Sequence, residues 1–446
     1  MASVAEPEAG AVDTPRPTTA PRSTPYSVYV TFVMALVFML AATDRNIMSI
    51  LLVPIQKDLK ASDTSMGALT GAAFSIVYAT AALPLARLAD HGNRRNLIAA
   101  AVAVWSVMTS ACGFASSYVT LLLARVGVAV GEAAHQPAIM SMIGDLYPRT
   151  RRGIAVGCIT IGSAVGIGLG AYIAGVVSDL HGWRAAFLVM GLPGIAVAVL
   201  MTLTVREPKR GAHEGGAGSA PAPLSSWAAL RYLFSVPTVP RLLAANLVLQ
   251  IAFQGFLTWS PAFFMRVHGL TTSQMSAGFG LVVASSAILS AIMAGLVSDR
   301  LSKGGERWRA YYCAVVLAAG VPFAILMMIA PTATLAFMAL FMMSLITGGA
   351  TSASITAGLG VVRPKMRGFM TAVMSFVIAV VGGGLGPVLF GVLTDSLKSR
   401  FGDEAIRYTL LTVPALWAIA AALFLHAGRS TDRDAAAALA APAVAS

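Results

Sequence analysis

Apolar residues run through this chain in long stretches, separated by short polar segments rich in Arg, Lys, Gly and Pro. A helix needs about 20 predominantly apolar residues to cross the hydrocarbon core of a bilayer. Twelve stretches meet that length, at approximately 27–55, 65–90, 96–116, 119–146, 153–180, 184–205, 241–266, 273–299, 309–330, 333–361, 368–396 and 407–427. The sixth and seventh are separated by REPKRGAHEGGAGSAPAPLSS, whose Gly, Pro and Ala content predicts a flexible connection. WAALRYLFSV follows it and predicts a short surface helix. The pattern predicts an all-α polytopic membrane protein with two bundles of six transmembrane helices, 26–205 and 241–427. The linker is 206–240, and the cytoplasmic tails are 1–25 and 428–446.

Composition sharpens this picture. Of 446 residues, 57% are hydrophobic and 11% charged, against about 25% charged in soluble domains. Residues 1–25 are rich in Pro, Ala and Thr without an apolar core, so they are not a signal peptide and read as a disordered tail, as does the Ala-rich end after Gly428. Cys112, Cys158 and Cys313 sit in apolar segments at spacings that suit neither zinc nor a disulfide framework. The formal net charge of +12 is dispersed between spans without interleaved aromatics, which excludes a nucleic-acid surface. With the N-terminus inside, 22 of the 31 Lys and Arg fall on cytoplasmic segments and seven outside; Arg45 and Arg125 lie within spans. The positive-inside bias therefore places both termini in the cytoplasm of a multi-pass protein of the cell (plasma or inner) membrane.

The two bundles echo each other in sequence. GAYIAGVVSDL in the fifth span matches GPVLFGVLTDS in the eleventh, so that Gly170, Gly175 and Asp179 recur as Gly386, Gly391 and Asp395, each 216 positions later. RRGIAVG aligns with MRGFMTA, and LPLARLADHGNRR echoes IMAGLVSDRLSKG. Repeated halves with a site between them are the plan of alternating-access transporters.

These motifs resemble the major facilitator superfamily over about 26 to 427. ARLADHGNRR after the second span resembles the signature G-x-L-x-D-R-x-G-R-R, keeping Asp90, Arg94 and Arg95. Ala86, His91 and Asn93 stand where that signature has Gly, Arg and Gly. GLVSDR, Gly295 to Arg300, is the second copy, through Asp299. Within the superfamily, DRNIMSILLVPIQKDL, ARVGVAVGEAAHQPAIMSMIGDLYP and HGWRAAF look like elements of the spinster family of lysolipid and sphingolipid transporters. The resemblance implies the pseudo-symmetric major facilitator fold, with the first and fourth spans side by side on a central cavity.

That neighbourhood bears on the side-by-side Asp44 and Arg45 in the first span. A charge at mid-membrane normally faces a cavity and has a partner. The fourth span supplies Arg125 and Glu132, seven residues apart on one helical face, with Gln136 continuing the stripe and His135 to its side. Adjacent residues point about 100° apart, so one of Asp44 and Arg45 faces the cavity and the other a neighbouring helix. Burial favours a neutral carboxyl and a nearby arginine favours the ion, so Asp44 and Glu132 are candidate proton-coupling sites. Arg125 is their counter-charge or the anchor of an anionic headgroup. The alternative is a static cluster of ion pairs, although such pairs stabilise poorly against apolar replacements. His135 either relays protons or packs.

Asp90 and Asp299, with Arg94, Arg95, Arg149, Arg152 and Arg300, form a candidate conformational latch, implied by the signature loops; helix capping is the alternative. The C-terminal half has no charge near mid-depth. Its seventh span carries Asn246, Gln250 and Gln254 at spacings of four, then Trp259, as candidate cavity contacts, with Phe253, Phe256, Met374 and Phe376 as apolar surface. The glycines Gly162, Gly166 and Gly170, and Gly382 to Gly384 with Gly386, read as close helix packing, not phosphate loops. No Walker motif, metal cluster or catalytic dyad occurs, so neither an enzyme nor a bound cofactor is expected. The expectation is a monomeric secondary transporter among membrane lipids, coupled to protons, for an amphipathic or lipid-like solute. The alternatives are a symporter of small organic anions and a non-transporting sensor.

Overall fold

The computed structural model describes residues 25–148, 150–210, 226–301 and 304–440. Expectations placed on residues 1–24, Arg149, 211–225 and 441–446 fall outside the described residues. The rest is helical, and the spans follow the apolar stretches. Six occupy the N-terminal half, at Pro25–Ile50, Asp63–His91, Arg94–Cys112, 118–146, Arg152–His181 and Trp183–Thr204. Six occupy the C-terminal half, at Thr238–Val267, Thr272–Leu301, Arg307–Ile329, Ala333–Gly360, 367–401 and 405–440. Ser226–Ser235 is the surface helix between them. This is the twelve-helix, two-bundle fold the apolar pattern predicts.

Local chemistry sets the ends and breaks of the helices. Asn93 accepts from the amide of Asn96 at 2.9 Å and so caps the third span, which accounts for an asparagine where the signature has glycine. Ser117 and Thr120 form a reciprocal capping box on the fourth. Gly182, at φ 84°, takes the left-handed turn between the fifth and sixth spans. The fourth span is interrupted at Ala133–Ala134, because Pro137 has no amide to return to the carbonyl of Ala133. The tenth is interrupted at the corresponding place, Gly348–Gly349.

Glycine faces bring spans close together. A Cβ on Gly162, Gly166 or Gly170 would collide with Ala35, Met39 and Thr43 of the first span, one helical turn apart. The C-terminal end corrects the sequence reading. Instead of a disordered tail after Gly428, the twelfth helix continues to Ala440. Asp434 accepts from the Thr238 amide at 3.0 Å and its hydroxyl at 2.7 Å, capping the seventh span, and alanine is the best helix former.

The start of the first span, the linker and the end of the twelfth span meet on one face, the terminal face, where the Arg206 amide donates to the Tyr26 hydroxyl and the Thr238 amide to Asp434; the opposite face is the far face. One apolar core fills the terminal side of the N-terminal half around Met34, Val102, Trp105 and Ile139. A second joins the far side of that half, Ile47 to Ile55 and Phe187, to the whole C-terminal half through Trp259, Phe263 and Leu317. The halves thus share a core toward the far face. Leu83, Phe114, Leu123, Leu203 and Leu281 lie exposed on the outside, where hydrocarbon is the fitting solvent.

Candidate functional site

The charged residues of the first and fourth spans meet inside the N-terminal half. Arg45 Nε donates to Glu132 Oε2 at 2.7 Å, and Glu132 is fully buried. Arg125, also buried, donates to the carbonyl oxygen of Asp44 at 3.2 Å. The adjacent pair divides: Arg45 is 41% exposed and lines a cavity, while Asp44 is buried in the bundle. Glu132 Oε1 and Arg125 Nε have no hydrogen-bond partner among the described residues.

Aromatic side chains complete the cation face. Arg45 lies over Tyr78 and Arg125 over Phe74, each with the guanidinium carbon 5.1 Å from the ring centre. These second-span rings carried no sequence signal beyond ordinary apolar positions. Together with Asn46, Ser75, Gln254 and Thr258 they line a chamber of about 290 Å³ between the halves. A second chamber of about 500 Å³ lies in the C-terminal half, lined by Phe253, Phe256, Phe279, Met343, Trp417 and a set of serines including Ser286 and Ser290. Leu257 lines both.

Several expected site residues sit elsewhere. His135 is buried, with Nδ1 2.5 Å from the carbonyl oxygen of Glu132 and its ring edge-on to Phe38 and Trp105. The break before it shifts the helix, so Gln136 is exposed and does not extend the stripe of Arg125 and Glu132. Of the seventh-span polar stripe only Gln254 reaches a chamber. Asn246 accepts from Ser354 at 2.8 Å and Gln250 donates to Thr351 at 3.1 Å, tying the seventh span to the tenth. Trp259 is buried and donates to the carbonyl oxygen of Pro387 at 2.9 Å. Met374 is buried and Phe376 is exposed outside both chambers.

The signature-loop residues are engaged within the N-terminal half. Arg94 bridges Asp145 at 2.5 Å and Glu207 at 2.7 Å, and the Arg95 amide donates to Glu207. Arg152 donates to the carbonyl oxygens of Tyr147 and Gly144, not to Asp90. The Asp90 side chain is exposed, while its carbonyl oxygen accepts from Arg210. Arg300 is exposed, and the side chain of Asp299 lies outside the described residues.

Between the halves, polar contacts gather at the far face. Arg266 of the seventh span donates to the buried Asp63 of the second at 2.6 and 3.1 Å and to Gln56 at 2.6 Å.

This geometry, two helical bundles around a chamber with charge on one side, coincides with a family match. The model of the Major Facilitator Superfamily matches residues 34–387. The chain belongs to that superfamily. An "MFS-type efflux pump" of Mycolicibacterium smegmatis is 30% identical over 90% of this chain and 92% of its own. The sphingosine-1-phosphate transporter SPNS2 of Danio rerio is 24% identical, covering 86% of this chain and 80% of its own. Among solved structures, a bacterial homolog of the human lysosomal transporter Spinster, in an inward-facing and unoccupied conformation, superposes with a TM-score of 0.84. It shares 27% identity and covers 93% of this chain and 99% of its own. The chain is a spinster-like, multi-pass membrane transporter of this superfamily and not an enzyme.

Proposed function

We propose that the chain is a proton-coupled carrier that moves an amphipathic, lipid-like solute across the cell membrane by alternating access. It works as a monomer with both termini in the cytoplasm. The observation that carries this reading is the adjacency of the two chambers. An anionic headgroup meets Arg45 and Arg125 in the smaller one, and an apolar tail passes Leu257 into the aromatic C-terminal one. The zebrafish relative, named for a phosphorylated sphingoid lipid, supports the same substrate chemistry. The shared core toward the far face and the likeness to an inward-facing structure support a cytoplasm-facing state.

Coupling follows from competition for Arg45. While Glu132 is ionised, its Oε2 holds the guanidinium at 2.7 Å. Protonation removes that charge and frees Arg45 for a substrate anion, so proton and substrate occupancy become linked. Asp44, buried beside Arg125, is the second carboxylate of the cluster.

The test is transport of a lysophospholipid and a sphingoid phosphate in proteoliposomes, with and without an imposed pH gradient, for wild type and Glu132→Gln. The reading requires gradient-dependent transport in wild type and its loss in the variant. Equal transport whatever the gradient would make the cluster structural and the protein a uniporter; a preference for small hydrophilic sugars would overturn the substrate class.

A further inference from the structure

The segment repeated 216 positions apart has a geometry that the transport site does not use. Asp179 ends the fifth span in the N-terminal half, and its two carboxylate oxygens accept from the amides of Thr272 and Ser273 at 3.2 and 2.7 Å. Those amides open the eighth span, in the other half. Asp395, in the last two turns of the eleventh span, accepts from the amides of Asp63 and Thr64 at 3.1 and 2.8 Å, the opening of the second span. In both cases the next free amide is taken locally. Ser62 accepts from Ser65 at 3.1 Å and Thr271 from Gln274 at 3.3 Å. Each carboxylate thus completes, from across the interface, the cap of a helix in the opposite half, where its charge also suits the helix dipole.

One turn before each aspartate stands the repeated glycine. A Cβ on Gly175 would stand 2.8 Å from the Thr272 carbonyl oxygen, and a Cβ on Gly391 would stand 2.5 Å from that of Asp63. Only glycine lets the paired helix ends approach closely enough for the carboxylates to reach.

We propose that Gly175–Asp179 and Gly391–Asp395 are two equivalent latches of a far-face gate, each carried by one half and closed on the other. The second is reinforced by the Arg266–Asp63 pair, so the two latches open together when the halves rock apart. The proposal rests on the alternating-access reading above. It concerns the gate, and its test registers gate opening whether or not protons drive transport.

The latched amides are themselves the reporters. Hydrogen–deuterium exchange of the full chain in lipid nanodiscs is followed in peptides covering 62–66 and 271–275, with the third and ninth spans as folding controls. Asp179→Ala is expected to speed exchange about tenfold in 271–275 and also, across the gate, in 62–66. Tenfold corresponds to about 1.4 kcal/mol. Gly391→Ala, which keeps both carboxylates, is expected to do the same in the opposite direction, and Asp179→Asn to fall between Asp179→Ala and wild type. Faster exchange confined to the peptide that lost its own cap would overturn the proposal, since a local cap has no reason to act on the other latch. Unchanged exchange in both peptides would overturn it as well.

Discussion

Removing Arg45 tests whether the central charge pair is a true partnership. Arg45→Met takes away the guanidinium 2.7 Å from a fully buried carboxylate whose other oxygen already lacks a partner among the described residues. Breaking a fully buried pair costs about 3–5 kcal/mol, chiefly from the stranded charge. The Arg45 side chain is 41% exposed to the chamber, so water already screens part of the attraction. The expected cost is therefore about 2–3 kcal/mol. Glu132→Gln leaves Arg45 free to turn toward that water while still over Tyr78, and should cost less than about 1 kcal/mol. The double variant strands nothing and should be more stable than Arg45→Met alone. Thermal unfolding in detergent, followed by tryptophan fluorescence, reads the order. For a bundle of roughly 180 residues each kcal/mol moves Tm by about 2–4 °C. If Arg45→Met and the double variant melt at the same temperature, Glu132 does not depend on Arg45, and the coupling argument loses its physical basis.

Other consequences can be checked in the same preparations. Gly166→Ala would drive a methyl into the carbonyl oxygen of Met39 and should cost about 1–3 kcal/mol by overpacking, whereas Gly157→Ala, inside a helix and facing open space, should raise Tm, by about 0.5–1 kcal/mol of added stability. Asn93→Ala should destabilise the third span by about 1 kcal/mol and Asn93→Gly by only a few tenths, because the side chain acts as a helix cap. Trp259→Phe removes the indole hydrogen bond to the Pro387 carbonyl oxygen, which keeps its place in the helix ladder, and should lower stability by about 0.5–1.5 kcal/mol in the same melts. Leu257→Trp fills the passage between the chambers; it should slow transport of long-chain lysolipids at least tenfold while a headgroup analogue without a tail still binds.

The primary structure by itself determined the spans, the division into halves and the internal repeat. A membrane span must satisfy its backbone within one apolar segment, so its length and composition are local properties. It also picked out Asp44, Arg45, Arg125 and Glu132, because charges in such segments stand out against their surroundings. Which side chain faces which neighbour was a different matter. Helical periodicity gives an angle about an axis, but not the helix that lies at that angle. The division of labour between Arg45 and Asp44 was therefore left to packing. So was the diversion of Asn246 and Gln250 toward Ser354 and Thr351, more than a hundred residues away. The stripe through Gln136 failed for a local reason: it assumed one continuous helix, and Pro137 breaks the ladder. Asp179 and Asp395 stood out as a repeat, but neither their partners across the interface nor the Asp63–Arg266 pair could be read from it. Only the approach of one bundle to the other turned an acid at one helix end into the cap of another. That approach is set by the shape and packing of both halves together, which no single segment encodes.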